Sequence, residues 1–97
     1  MSIPRYGVMS FDITVVDGVG ESSLMLANYL SNFAMKCSDS AMFKFIFEDR
    51  DGFQIYGGRT DDPGALSGPI NMKCYDFKVK LKEATDGVYN FRVFTNN

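Results

Sequence analysis

From Tyr75 to Lys82 the side chains change character at every step: Tyr75, Phe77, Val79 and Leu81 alternate with Asp76, Lys78, Lys80 and Lys82. A period of two marks a half-buried strand, with one face on a core and the other in water. This constrains the fold more than any other feature, because the pattern recurs. Met9, Phe11, Ile13 and Val15 alternate with Ser10, Asp12 and Thr14, and Tyr89, Phe91 and Val93 share one face of 88–95. The odd positions of these segments are expected to face the core.

Two of the segments are expected to fold back as hairpins. Over 43–56, a three-residue loop of Arg50, Asp51 and Gly52 sets Phe47 against Ile55, Glu48 against Gln54 and Ile46 against Tyr56. Cross-strand partners share a face, so like meets like. Gly52 suits the left-handed position that ends such a loop. Over 75–95, a loop of Thr85, Asp86 and Gly87 sets Leu81 against Phe91 and Val79 against Val93. Ahead of Tyr75 the apolar residues Ile70, Met72 and Cys74 have the opposite parity, which predicts a bulge or bend near Cys74.

Between the first strand and the first hairpin, Leu26, Leu30, Phe33 and Cys37 fall at i, i+4, i+7 and i+11. That spacing predicts a helix over about 22–37, capped by Ser22 or Ser23. The expected order is β-α-β-β-β-β. The expected fold is a single α+β domain, a twisted and mostly antiparallel sheet of four or five strands with one helix on one face.

The length of 97 residues suits one such domain, and 45% hydrophobic content argues against disorder. No apolar run reaches the ~18 residues of a membrane helix. The segment Met1-Ser2-Ile3-Pro4-Arg5 does not read as a leader. Two cysteines far apart, Cys37 and Cys74, read as unlinked thiols in a reducing compartment, so a cytoplasmic location is expected, the host cytoplasm if the protein is phage-encoded.

The chain has no histidine and no tryptophan. Without histidine there is no Ser-His-Asp or Cys-His catalysis and little scope for zinc. No enzyme activity, metal or cofactor is therefore expected. The local motifs agree. Asp17-Gly18-Val19-Gly20-Glu21 sits where a phosphate loop would, but Glu21 stands in the lysine position and Ser23 where a dinucleotide fingerprint needs a third glycine. Asp49-Arg50-Asp51-Gly52 lacks a calcium loop's first and last ligands, since Phe47 and Gly58 hold those places. Asp61 and Asp62 read as turn residues.

Charge is unevenly placed. Residues 1–70 carry five basic and nine acidic side chains, and residues 71–97 carry five and three. Lys78, Lys80, Lys82 and Arg92 are expected on one outer sheet face with Lys80 opposite Arg92, and with Phe94 and Tyr56 nearby. The stretch 57–69 holds four of nine glycines and two of three prolines and is expected to form an irregular loop. Such loops are often functional. Arg59, Asp61 and Asp62 of that loop join the candidate partner-binding residues. The expected function is a non-enzymatic protein-binding module, such as a small phage- or mobile-element-type inhibitor or adaptor. It would act through a sheet face, an edge strand or the 57–69 loop. The alternative is a self-assembling structural subunit, a ring or tube, because apolar groups beyond the core's needs offer an oligomer interface. An oligonucleotide-binding sheet ranks third, and no membrane partner is expected.

Overall fold

The computed structural model describes residues 6–38, 40–60, 65–73 and 76–96, and every regular element among them is a strand. The alternating segments set the pattern. β1 (Tyr6–Val15) and β9 (Gly87–Asn96) pair antiparallel along their length, with Phe11 opposite Phe91 and Ile13 opposite Tyr89. Ile13, Val15, Tyr89, Phe91 and Val93 are buried, and Met9 and Phe11 pack on them, as the odd positions were expected to do.

β4 (Tyr29–Lys36) joins β9, and β7 (Ala65–Lys73) joins β4, so one sheet runs β1-β9-β4-β7. The second runs β2 (Gly20–Glu21), β8 (Asp76–Lys82), β5 (Phe43–Glu48) and β6 (Gln54–Thr60). β3 (Met25–Leu26) also pairs with β8, beyond β2. Ser22 bridges the gap between them: its N–H donates to the Val79 carbonyl at 2.9 Å, and its hydroxyl accepts the Val79 N–H at 2.9 Å. With β2 and β3 as one interrupted lane, the described residues form eight lanes in two antiparallel sheets. First pairs with last in one sheet and second with next-to-last in the other, which is the jelly-roll arrangement.

The core lies between the sheets. Phe33, Met35, Tyr89 and Phe91 project from one side, and Phe43, Phe45, Phe47, Phe77, Val79 and Leu81 from the other. Phe33 meets Phe45 and Phe47 at ring-centroid distances of 5.1 and 5.5 Å, and Phe47 stacks on Phe77 at 6.1 Å. Aromatic pairs at such distances add roughly 0.5–1.5 kcal/mol each beyond burial. Two sheets facing one another therefore use the phenylalanines that one helix could not cover.

The α+β expectation is corrected on two points. First, the helix over 22–37 is absent, and Tyr29–Lys36 is a strand in its place. The cause is a bulge at Ser31. Leu30 lies opposite Thr95 and Asn32 opposite Phe94, so Ser31 is an extra residue on β4. Its hydroxyl donates to the Phe94 carbonyl at 2.9 Å. The bulge turns the buried spacing from two to three, with Leu30, Phe33 and Met35 inside, which resembles a helical stripe. Leu26, the first member of the expected stripe, is 75% exposed.

Second, β8 and β9 form no hairpin. β8 pairs with β5, and β9 with β1 and β4, in opposite sheets. The β-α-β-β-β-β order in a single sheet fails with it. The hairpin over 43–56 forms, with Glu48 opposite Gln54 as expected, but a shift between Phe47 and Glu48 sets Phe47 against Tyr56. Gly52 has φ +85°, and the Asp49 N–H donates to the Phe53 carbonyl at 3.0 Å to close the loop.

The stretch 57–69 is not an irregular loop where it is described. Gly57–Thr60 completes β6 and Ala65–Pro69 begins β7, with 61–64 outside the described residues. Gly68 lies where a Cβ would stand 3.4 Å from the Tyr56 hydroxyl and 3.6 Å from the Phe33 ring. Pro69 lies in an edge strand beside the β4 irregularity, where its missing N–H costs least. The bulge or bend expected near Cys74 falls outside the described residues. Asn71, with φ +51°, lies within β7 where its register against β4 shifts.

Candidate functional site

The outer face of the β8-β5-β6 sheet carries most of the expected basic residues. Phe77, Val79 and Leu81 are buried, so Lys78, Lys80 and Lys82 face away from the core. On β5 the same alternation turns Lys44, Ile46 and Glu48 outward between buried Phe43, Phe45 and Phe47. The register then orders these residues in rows across the strands. Glu48 lies opposite Lys78, Ile46 opposite Lys80, and Lys44 opposite both Lys82 and Arg59.

The rows differ in how their charge is met. Lys80 Nζ sits 2.8 Å from Glu48 Oε1, and Lys78 Nζ lies 3.8 Å from the same oxygen and 3.9 Å from Glu21 Oε2. The hydrogen bond from Lys80 to Glu48 pushes the ammonium pKa of Lys80 up, and burial opposes it. Two of the three stripe lysines are thus neutralised by Glu48 and Glu21. The row at the end of the sheet is different. Lys82 and Lys44 are exposed and have no ion pair with any described residue, and Arg59 holds the next register position. Neighbouring strands lie ~4.8 Å apart, so three basic positions fall within roughly 10 Å. Like charges directly opposite one another destabilise a sheet by a few tenths to ~1 kcal/mol per pair.

Lys82 and Arg59, candidates from separate parts of the sequence, are therefore brought to one row, with Lys44 between them. Lys44 was missed because the expected hairpin register set Gly58, not Arg59, against it. The one-residue shift beside Glu48 moves Arg59 into place.

The remaining candidates lie elsewhere. Arg92 is on the outer face of the other sheet, opposite Ser10 and Ala34, so the pairing of Lys80 with Arg92 is not formed. Phe94 is one step along the same face, opposite Val8 and Asn32. A shallow basin of about 690 Å³ beside Arg92 is lined by Ser10, Asp12, Lys36 and Asn90. Within it, Asn90 Nδ2 donates to Asp12 Oδ1 at 2.6 Å. Tyr56 turns inward and meets Phe33 edge-on at 5.6 Å. Asp61 and Asp62 lie outside the described residues.

A second cavity, about 850 Å³, opens at the opposite end between Asn28, Asp49, Arg50, Ile55, Lys73 and Asp76. Its buried carboxylate is spoken for. Asp76 Oδ2 accepts Arg50 Nε at 2.5 Å and pairs with Nη2 at 2.5 Å, and Oδ1 accepts the Arg50 backbone N–H at 3.3 Å. The side-chain hydrogen bond to Asp76 raises the guanidinium pKa of Arg50. Among the described residues no group of three or more acidic, cysteine or histidine side chains could hold a metal ion, and no helix is long and apolar enough to cross a membrane.

No protein-family model matches the chain, and no curated protein matches it. Among solved structures, a chain from the structure of infectious bursal disease virus Gx strain is similar over 97% of this chain and 32% of its own, at 11% identity and a TM-score of 0.45. A chain from the structure of the Gt strain is similar over 96% and 30%, at 8% identity and a TM-score of 0.32. This chain thus spans about a third of the length of those solved chains. Likeness of that degree has no bearing on function.

Proposed function

We propose that this chain is a non-catalytic protein-binding β-sandwich that takes an acidic segment of a protein partner on the outer face of β8, β5 and β6. The observation that carries the reading is the row Lys82, Lys44 and Arg59 across three adjacent strands, with no acid among the described residues paired to either lysine. A sheet that sets like charges side by side is relieved when an anion binds there.

Two further observations support the absence of catalysis. Histidine is missing. The two buried described carboxylates are committed, Asp76 to Arg50 and Glu48 to Lys80, and Asp86 accepts two backbone N–H groups. The choice of protein over nucleic acid follows from the charge pattern. The basic row is short, Glu48 and Glu21 stand beside it, and the net charge is −2. A polyanion would meet repulsion along most of its length, whereas a short acidic segment would not.

Fluorescence anisotropy with a labelled hexaglutamate peptide at low salt tests this. Binding is expected, weakened roughly tenfold or more by Lys44→Glu combined with Lys82→Glu, each tenfold corresponding to ~1.4 kcal/mol. An oligonucleotide of equal charge is the control. If the oligonucleotide bound more tightly than the peptide, the oligonucleotide reading would replace this one.

A further inference from the structure

The basic row lies at one end of the sandwich, and the loops at that end carry the opposite sign. Glu83 follows Lys82 directly, Asp86 stands in the same loop and Asp17 in the loop after β1, all three exposed. The loops are tied together by hydrogen bonds. The Asp86 carboxylate accepts the N–H groups of Asp17 at 3.2 Å and Gly18 at 3.0 Å. The Ala84 N–H donates to the Gly18 carbonyl at 3.1 Å. Thr85 holds the loop before β5 through two bonds with Met42, at 2.8 and 3.0 Å. Apolar side chains stand out from this braced end: Val16 is 60% exposed, Val19 57% and Met42 44%.

We infer that the acidic segment bound by the basic row is the loop end of a second copy of this chain, in a two-fold dimer. The inference rests on the proposed reading of the row as an anion-binding surface and names its partner. Charge complementarity favours a second copy. An acidic segment with no bases of its own would reach Lys82 and Lys44 but leave Glu83 and Asp17 beside them without a partner. A copy related by a two-fold axis presents its acids to the bases of the first and its bases to the acids of the first. This is the reciprocal condition that an isologous interface must meet. Val16, Val19 and Met42 lie in the same end and supply the apolar contact that charge alone does not. The bracing of the loops by Asp86 and Thr85 means that little chain entropy is lost on association.

Sedimentation velocity of the full chain, at low and at high salt, tests the inference. A dimer at low salt that dissociates at high salt is expected, since interfacial charge is screened. Lys44→Glu with Lys82→Glu is expected to be monomeric, and so is Asp17→Asn with Glu83→Lys. An equimolar mixture of the two variants is expected to regain the dimer, because each then carries the sign the other lacks. That rescue also shows that neither variant failed to fold. A wild-type chain that stays monomeric at low salt up to its solubility limit overturns the inference, and so does a dimer indifferent to both pairs of substitutions. If such a monomer still bound hexaglutamate, the reading of the basic row would stand while the dimer fell. If the dimer formed and survived the loss of both lysines, the row itself would be the error.

Discussion

Two corners of the molecule share a sequence and differ in what they build. Arg50-Asp51-Gly52 and Thr85-Asp86-Gly87 both end in Asp-Gly between alternating segments. The first closes a hairpin within one sheet. The second carries the chain from β8 in one sheet to β9 in the other. Four residues, Glu83–Asp86, separate those strands. A stretch of that length reaches up to ~14 Å, enough to cross the ~10 Å between stacked sheets. Length therefore does not choose between the outcomes. The partners of the corner do. Asp49 binds its own loop, its Oδ1 accepting the N–H of Asp51 and of Phe53 at 2.9 Å each. Asp86 binds residues 68 and 69 positions away. A local corner can be read locally, and a crossing cannot.

The comparison breaks most readily at the buried residue beside the crossing. Tyr89 is fully buried, meets Phe43 edge-on at 5.6 Å and donates its hydroxyl to the Thr85 carbonyl at 2.7 Å. Tyr89→Ala is expected to cost about 3–5 kcal/mol, the range for deleting a buried ring. Tyr89→Phe, which removes only the hydrogen bond, should cost about 1 kcal/mol. At the hairpin corner, Phe53 is 70% exposed, and Phe53→Ala should stay within about 0.5 kcal/mol. Urea midpoints at constant slope measure all three. Equal losses for the two ring deletions would remove the distinction between the corners.

The aspartates sharpen it. Asp86→Ala removes a charged acceptor from two backbone N–H groups and should cost about 1–3 kcal/mol. Hydrogen exchange should show the Asp17 and Gly18 amides losing protection although they lie in the opposite half of the sequence. Asp49→Ala should cost about 1 kcal/mol and expose only the Asp51 and Phe53 amides. Gly52→Ala comes next. Nothing lies within 4 Å of the added Cβ, so its cost is that of φ +85° alone, about 1 kcal/mol.

The same contrast explains how much of the fold and site could be read in advance. The inward positions of β1, β5, β8 and β9 follow from alternation alone, and the structure buries Ile13, Phe45, Val79 and Phe91 accordingly. What alternation leaves open is the pairing. Leu81 and Phe91 satisfy a hairpin register, and they equally satisfy two sheets that face each other across a core. The spacing that suggests a helix is reproduced by a single bulge at Ser31, and the bulge is stabilised by the Phe94 carbonyl, 63 residues away. The candidate site follows suit. Its lysines on β8 are legible as a stripe. The row with Lys44 and Arg59 depends on β8 lying beside β5 and on a one-residue shift in the hairpin. Both facts belong to pairing, not to composition.

The smallest expected effect concerns alkaline pH, and it too separates the corners. Burial pushes the Tyr89 hydroxyl above its ordinary value of 10.0. Above that value the unfolded chain releases the tyrosine proton while the folded chain holds it. The unfolded state then binds fewer protons, and stability falls as pH rises. The contribution is fully present below the unfolded value and is lost as pH climbs through the folded one. Lys80, raised by its bond to Glu48, loses its contribution in the same direction, so among the described residues it is a second source of the alkaline slope. The hairpin corner has no such group, because Arg50 is raised from a value that already keeps it charged across this range. Melting temperatures taken between about pH 9 and about pH 11, on either side of the ordinary tyrosine value, should therefore fall less steeply for Tyr89→Phe than for the wild type. Phe53→Ala should leave the slope unchanged. An unaltered slope in Tyr89→Phe would remove Tyr89 as a source and detach the alkaline loss from the crossing.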